Sequence, residues 1–126
     1  MPVTIMVVGD HGQVRRALGG WLEITFPGCH VIESNSGAQA VVVAEASSPQ
    51  AVVVDVGPPG MNSLETIVQL KASVPGAPVV VLTSYEAEAH CTHMMASGAS
   101  ACVPQDDIAQ LQASLAELLS SKSLSR

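Results

Sequence analysis

Short apolar runs alternate along this chain with stretches whose apolar residues recur every three to four positions. Val3-Thr4-Ile5-Met6-Val7-Val8 reads as a first strand, and Val14, Leu18, Trp21 and Leu22 then fall at helical spacing until Pro27-Gly28 ends the helix. Gly19 and Gly20 inside that helix point to close packing or bending. Cys29 to Glu33 is a second strand, and Ser36 is a candidate cap for a helix from about Gly37 to Ser47. Ala51 to Asp55 is a third strand. A helix over Asn62–Ser73 follows, with Leu64, Ile67 and Val68 on its inner face. Val79-Val80-Val81-Leu82 is the fourth strand. A weaker helix, about Glu86 to Ser97, carries Ala87, Cys91, Met94 and Met95 inward, and Ser100 to Val103 is a brief fifth strand. The last helix starts near Asp107, which with Gln110 suits a capping box, and its stripe is Ile108, Leu111, Leu115, Leu118 and Leu119. Five βα units in series predict an α/β fold, a parallel sheet with helices on both faces.

Composition narrows this picture. The 126 residues make one domain, and 48% of them are hydrophobic but only 2% aromatic, so the core must be built from Val, Leu, Ile and Ala. No apolar run approaches the length that spans a bilayer, and residues 1–8 lack the basic flank of a signal peptide; a cytoplasmic location without membrane contact is expected. A net charge of −6 with five fixed cations leaves no basic stripe for direct nucleic-acid binding. Cys29, Cys91 and Cys102 fit no ligand spacing and read as reduced thiols. Residues 1–120 form the domain, and 121–126, where the periodicity fades, resemble a linker-like tail.

The chemistry gathers at strand ends. Asp55 closes the third strand before the breaker-rich Gly57-Pro58-Pro59-Gly60, where open parallel sheets place their sites. Asp10 follows the first strand, and Thr83-Ser84 follows the fourth. In one sheet these strands would bring two carboxylates and a hydroxyl to a common edge. The order and content of three segments carry a resemblance: Val52-Val53-Val54-Asp55-Val56-Gly57-Pro58-Pro59-Gly60-Met61, Gly9-Asp10-His11-Gly12-Gln13-Val14-Arg15-Arg16, and Ser97-Gly98-Ala99-Ser100-Ala101. Together they resemble the receiver domain of two-component response regulators, especially receivers that precede helix-turn-helix output domains. The resemblance runs from about Val3 to Leu119.

It implies a flavodoxin-like doubly wound sheet of order 2-1-3-4-5 with five helices. It implies a signalling module rather than an enzyme, with Asp55 accepting a phosphoryl group from a histidine kinase or phosphotransfer protein. Mg²⁺ would be held weakly by Asp10, Asp55 and the carbonyl of Gly57, and Thr83 would hydrogen-bond the phosphoryl group. A C-terminal or separate output domain would receive the signal, and the family admits a homodimer.

This chain departs from the family pattern. The first of two usual acids after the first strand is Gly9, the usual lysine is Gln105, the switch aromatic is Cys102, and the acid at the far end of the phosphorylation loop is Asn62. Losing one acid and the lysine together leaves the pocket's formal charge unchanged. A neutral amide offers a weaker hydrogen bond than an ammonium, however, so impaired phosphorylation or switching is expected. Pro104 fixes the backbone beside Gln105 and could redirect that side chain. The alternative is a phosphorylation-independent pseudo-receiver acting as a protein-interaction module. An enzyme or nucleotide binder on such a sheet finds no support, since G-x-G-x-x-G, G-x-x-x-x-G-K-[ST] and G-x-S-x-G are all missing. His11 reads as a first-turn residue, and His90 and His93 as a solvated helix face rather than a metal pair.

Overall fold

Five parallel strands, β1 (Thr4–Val8), β2 (His30–Ser34), β3 (Ala51–Asp55), β4 (Val79–Thr83) and β5 (Ala101–Pro104), form one sheet of order β2-β1-β3-β4-β5. The helices are α1 (Gly12–Thr25), α2 (Ala38–Ser47), α3 (Ser63–Ser73), α4 (Cys91–Ala96) and α5 (Ile108–Leu124). The computed structural model describes residues 3–35, 37–56, 63–83 and 91–124, without the side chains of Ser63 and of 121–124.

Side chains alternate between the two faces of each strand, and both faces are covered. Met6, Val8, Val52, Val54, Val79 and Val81 meet Ala40 and Ala44 of α2, Ile67 and Leu70 of α3, and Met94 of α4. Ile5, Val7, Val53, Val80 and Val103 meet Leu18 and Leu22 of α1 and Leu111 and Leu115 of α5. The predicted three-layer sandwich is therefore present, with β3 buried along its whole length. Gly19 is one condition of that packing. A Cβ there would lie 3.2 Å from Cγ1 of Val31, so the glycine lets α1 settle onto β2.

Several boundaries and faces differ from expectation for physical reasons. Helix α3 turns Thr66, Ile67 and Leu70 inward, while Leu64 and Val68 are 37% and 51% exposed. The buried Thr66 hydroxyl accepts a hydrogen bond from the Gly37 amide at 3.2 Å. Its burial satisfies the start of α2, which a search for apolar spacing does not register. The N-cap of α2 is Gly37, with φ +79°; Ser36 lies outside the described residues. Val14 of α1 and Ile108 of α5 are exposed, so their stripes are narrower than predicted. Strand β5 includes Pro104, which an edge strand tolerates because its missing N–H costs no interior ladder bond. The capping of α5 is as expected, with Asp107 Oδ1 accepting from the Gln110 amide at 3.0 Å. The helix continues to Leu124, into the stretch read as a tail.

The cysteine reading is corrected. Cys91 and Cys102 form a disulfide, their Cα atoms 6.1 Å apart, and only Cys29 is a free thiol. Sequence spacing does not reveal that the start of α4 lies alongside β5, which brings two residues 11 apart into bonding reach.

Candidate phosphoacceptor site

The register of the sheet builds the site. Val8 pairs with Val54, so the residues that follow them, Gly9 and Asp55, become neighbours at the carboxyl edge. The Val56 amide donates to the Leu82 carbonyl at 2.9 Å and the Gln105 amide to the Thr83 carbonyl at 2.8 Å, holding the ends of β3, β4 and β5 level. Asp55 is only 6% exposed.

Gln105 reaches it. Its Nε2 donates to Asp55 Oδ1 at 2.5 Å and, more weakly, to the Val56 carbonyl at 3.4 Å. Pro104 therefore does not redirect this side chain; its pairing with Thr83 brings the next residue over the site. Gly9 stands on the other flank. A Cβ at that position would lie 3.3 Å from Asp55 Cβ and 3.8 Å from Oδ2. The two departures from the receiver pattern thus flank one carboxylate.

Thr83 ends β4 and is 3% exposed. Its hydroxyl is 3.5 Å from the Val103 carbonyl, a long hydrogen bond directed at β5. Asp10 is an exposed residue in the loop between β1 and α1, beside Gly9. His11 caps α1, its Nδ1 accepting from the Val14 amide at 3.3 Å. Gly57 and Asn62 lie outside the described residues, as does His90, so the paired-histidine reading has no described geometry. Among the described residues no cluster of three His, Cys, Asp or Glu side chains could hold a metal ion.

Sequence reasoning missed Arg15. Its guanidinium donates to the Gly9 carbonyl and to Asn35 Oδ1, both at 2.7 Å, and to Glu33 Oε1 at 2.9 Å. The first turn of α1 is thereby clamped to the end of β2, which fixes the loop carrying Asp10. The only sequence signal was the arginine of the Val14-Arg15 opening.

Burial pushes the Asp55 carboxyl above its ordinary value of 3.8, while the Gln105 hydrogen bond and the nearby His11 act the other way and lose. An acid whose folded-state pKa is raised binds its proton more tightly in the native state. Its contribution to stability is therefore lost as the pH rises from the unfolded value through the folded one. Asp55→Asn removes that loss. We expect it to match the unaltered chain in stability at acid pH and to exceed it increasingly as the pH rises toward neutrality. Thermal unfolding across pH checks this.

A family model for the response regulator receiver domain matches residues 5–116, nearly all of the sheet and its helices. The chain belongs to the response regulator receiver family. Phosphorylation on an aspartate is general in that family. This receiver is 27% identical over 129 residues to the nitrate/nitrite response regulator protein NarL of Escherichia coli K12, covering 98% of this chain and 60% of the relative. It matches a LuxR-family two-component response regulator from Aurantimonas sp. SI85-9A1 with a TM-score of 0.82 and 25% identity, over 96% of this chain and 87% of that one. The receiver domain of sensor histidine kinase PA1611 from Pseudomonas aeruginosa PAO1, whose structure has a magnesium ion coordinated in its active-site cleft, superposes with a TM-score of 0.80 at 20% identity, over 95% of this chain and 99% of that one. The receiver spans 22%, 36% and 60% of the length of the first curated relatives it matches. No described helix is long and apolar enough to cross a membrane.

Proposed function

We propose that this receiver accepts a phosphoryl group on Asp55 from a histidine kinase or phosphotransfer protein, and that both the modification and its readout are weaker than is usual for the family. The observation that carries the reading is the Gln105 amide on Asp55 Oδ1, a neutral donor where the family pattern has a lysine. A carboxylate oxygen of Asp55 attacks phosphorus, and the histidine nitrogen leaves with the bonding pair.

The donor set is chemically suited to Mg²⁺, a hard ion that keeps several waters and takes one or two carboxylates. Asp55, Asp10 and the Gly57 carbonyl would hold it, and when bound it neutralises charge as phosphoryl oxygens meet a carboxylate. Gly9 supplies no carboxylate beside Oδ2, which supports weak retention. Thr83 then turns its hydroxyl from the Val103 carbonyl, a bond already long at 3.5 Å, to the phosphoryl group. The output is an attached or separate domain, a DNA-binding one by analogy with LuxR-family regulators. Contact with a second receiver copy and a cytoplasmic setting belong to the same reading.

A second reading, a pseudo-receiver that binds partners without phosphate, draws on the disulfide that occupies Cys102 where receivers carry their switch aromatic. Beryllofluoride with Mg²⁺ separates the two. Amide shifts are expected at Gly9, Asp10, Val56, Thr83 and Gln105, with small changes from Thr92 to Val103. No shift at Thr83 or Val56 would leave only the pseudo-receiver. Large, widespread shifts over Thr92–Val103 would show a complete switch and contradict the weakened readout.

A further inference from the structure

The disulfide lies at the start of α4, the shortest helix of the fold. Helix α4 is six residues long, and Met94 is its one buried side chain. Its exit is held by the Ala99 amide on the Met94 carbonyl at 3.1 Å and the Ser100 amide on the Val79 carbonyl at 2.7 Å. Its entry is held among the described residues by the Cys91–Cys102 bond, which ties the first residue of α4 to β5, the edge strand of the sheet. Both cysteine residues are partly exposed. Cys102 also packs at the border of the core that Met94 and Ala99 share. The third cysteine is separate, lying in the α1–β2 turn with its thiol donating to the Leu22 carbonyl at 3.5 Å, and burial pushes its pKa up.

We propose that Cys91 and Cys102 form a reversible thiol–disulfide latch that sets the mobility of the α4–β5 face, independently of Asp55. The oxidant is a low-molecular-weight disulfide of the glutathione class. One cysteine thiolate attacks it, forming a mixed disulfide and releasing one small thiolate. The other cysteine thiolate then attacks the protein sulfur of that mixed disulfide and releases the second. The two protein thiols give up two protons and two electrons, and the small disulfide is reduced to two thiols. Reduction is the same exchange in reverse. With the bond closed, α4 is pinned at its start to the sheet; with the bond open, that tie is lost and α4 opens locally more often.

The test uses the full chain in graded mixtures of reduced and oxidised glutathione, acid-quenched, denatured and alkylated, with peptide mass mapping and amide hydrogen exchange. Oxidising mixtures should protect Cys91 and Cys102 from alkylation while Cys29 stays reactive, and reducing mixtures should free both without unfolding. Exchange at the amides of Thr92 to Val103 should be at least tenfold slower in the oxidised chain. Cys102→Ser should exchange like the reduced chain in every mixture, whereas Cys29→Ser and Asp55→Asn should keep the redox response. Three reactive cysteines under oxidising conditions, a bond that opens only on unfolding, or equal exchange in the two forms would each overturn the latch. None of these results bears on whether Asp55 is phosphorylated.

Discussion

Gln105→Lys is expected to raise the fraction of receiver carrying beryllofluoride at sub-saturating concentration by about 5–30-fold. The amide already reaches Asp55 Oδ1, so a lysine entering from the same backbone position has a path to the same carboxylate. A hydrogen bond from a charged donor is worth about 1–2 kcal/mol more than a neutral one, and that difference corresponds to the stated factor. The ammonium also offsets the burial that holds the Asp55 proton, so the carboxyl should become more acidic. Fluorine NMR titration measures the bound fraction, and an unchanged titration would mean that Gln105 does not limit the site.

The second large effect is expected from Gly9→Asp, which should tighten Mg²⁺ binding about tenfold or more. The new Cβ would sit 3.3 Å from Asp55 Cβ, close enough that the neighbour must yield by a few tenths of an ångström. That closeness puts a second carboxylate beside Asp55. Without metal, two like charges at a buried position cost about 1–2 kcal/mol of stability and raise the Asp55 pKa further. With metal, the same pair becomes a stronger cation site. The variant should therefore be less stable than the unaltered chain in chelator and regain stability as Mg²⁺ is added, a crossing that thermal unfolding reads directly. Parallel curves at all Mg²⁺ concentrations would show that position 9 has no part in holding the metal.

These variants rest on features that differ in how far the sequence exposed them. Ala51–Asp55 was legible to the residue because a fully buried parallel strand is a continuous apolar run, and its closing carboxylate stands out against it. The resemblance implied that the first and third strands lie side by side with Asp10 and Asp55 at one edge, whereas the place of Gly9 beside Asp55 comes from the register. The family pattern places Gln105 at the usual lysine position, with Pro104 as the obstacle. The obstacle dissolves because β5 is an edge strand, a fact of topology invisible in local sequence. Thr66 and Arg15 escaped notice for a related reason. The Gly37 amide and the Gly9 carbonyl are backbone groups with no sequence signature, and Glu33 and Asn35, which also hold Arg15, are distant in sequence. Spacing alone puts Leu64 and Val68 inward, yet the helix turns the buried Thr66 hydroxyl toward α2 instead. The Cys91–Cys102 bond depends on tertiary proximity, which an odd count of three cysteines obscured.

Intact-mass measurement after incubation with acetyl phosphate tests the central claim most directly, with Mg²⁺ or chelator present and with Asp55→Asn in parallel. The account predicts a single, acid-stable and base-labile adduct of one phosphoryl group, partial in yield, dependent on Mg²⁺ and missing from Asp55→Asn. No adduct on a folded chain, or an adduct that persists in Asp55→Asn, would contradict it.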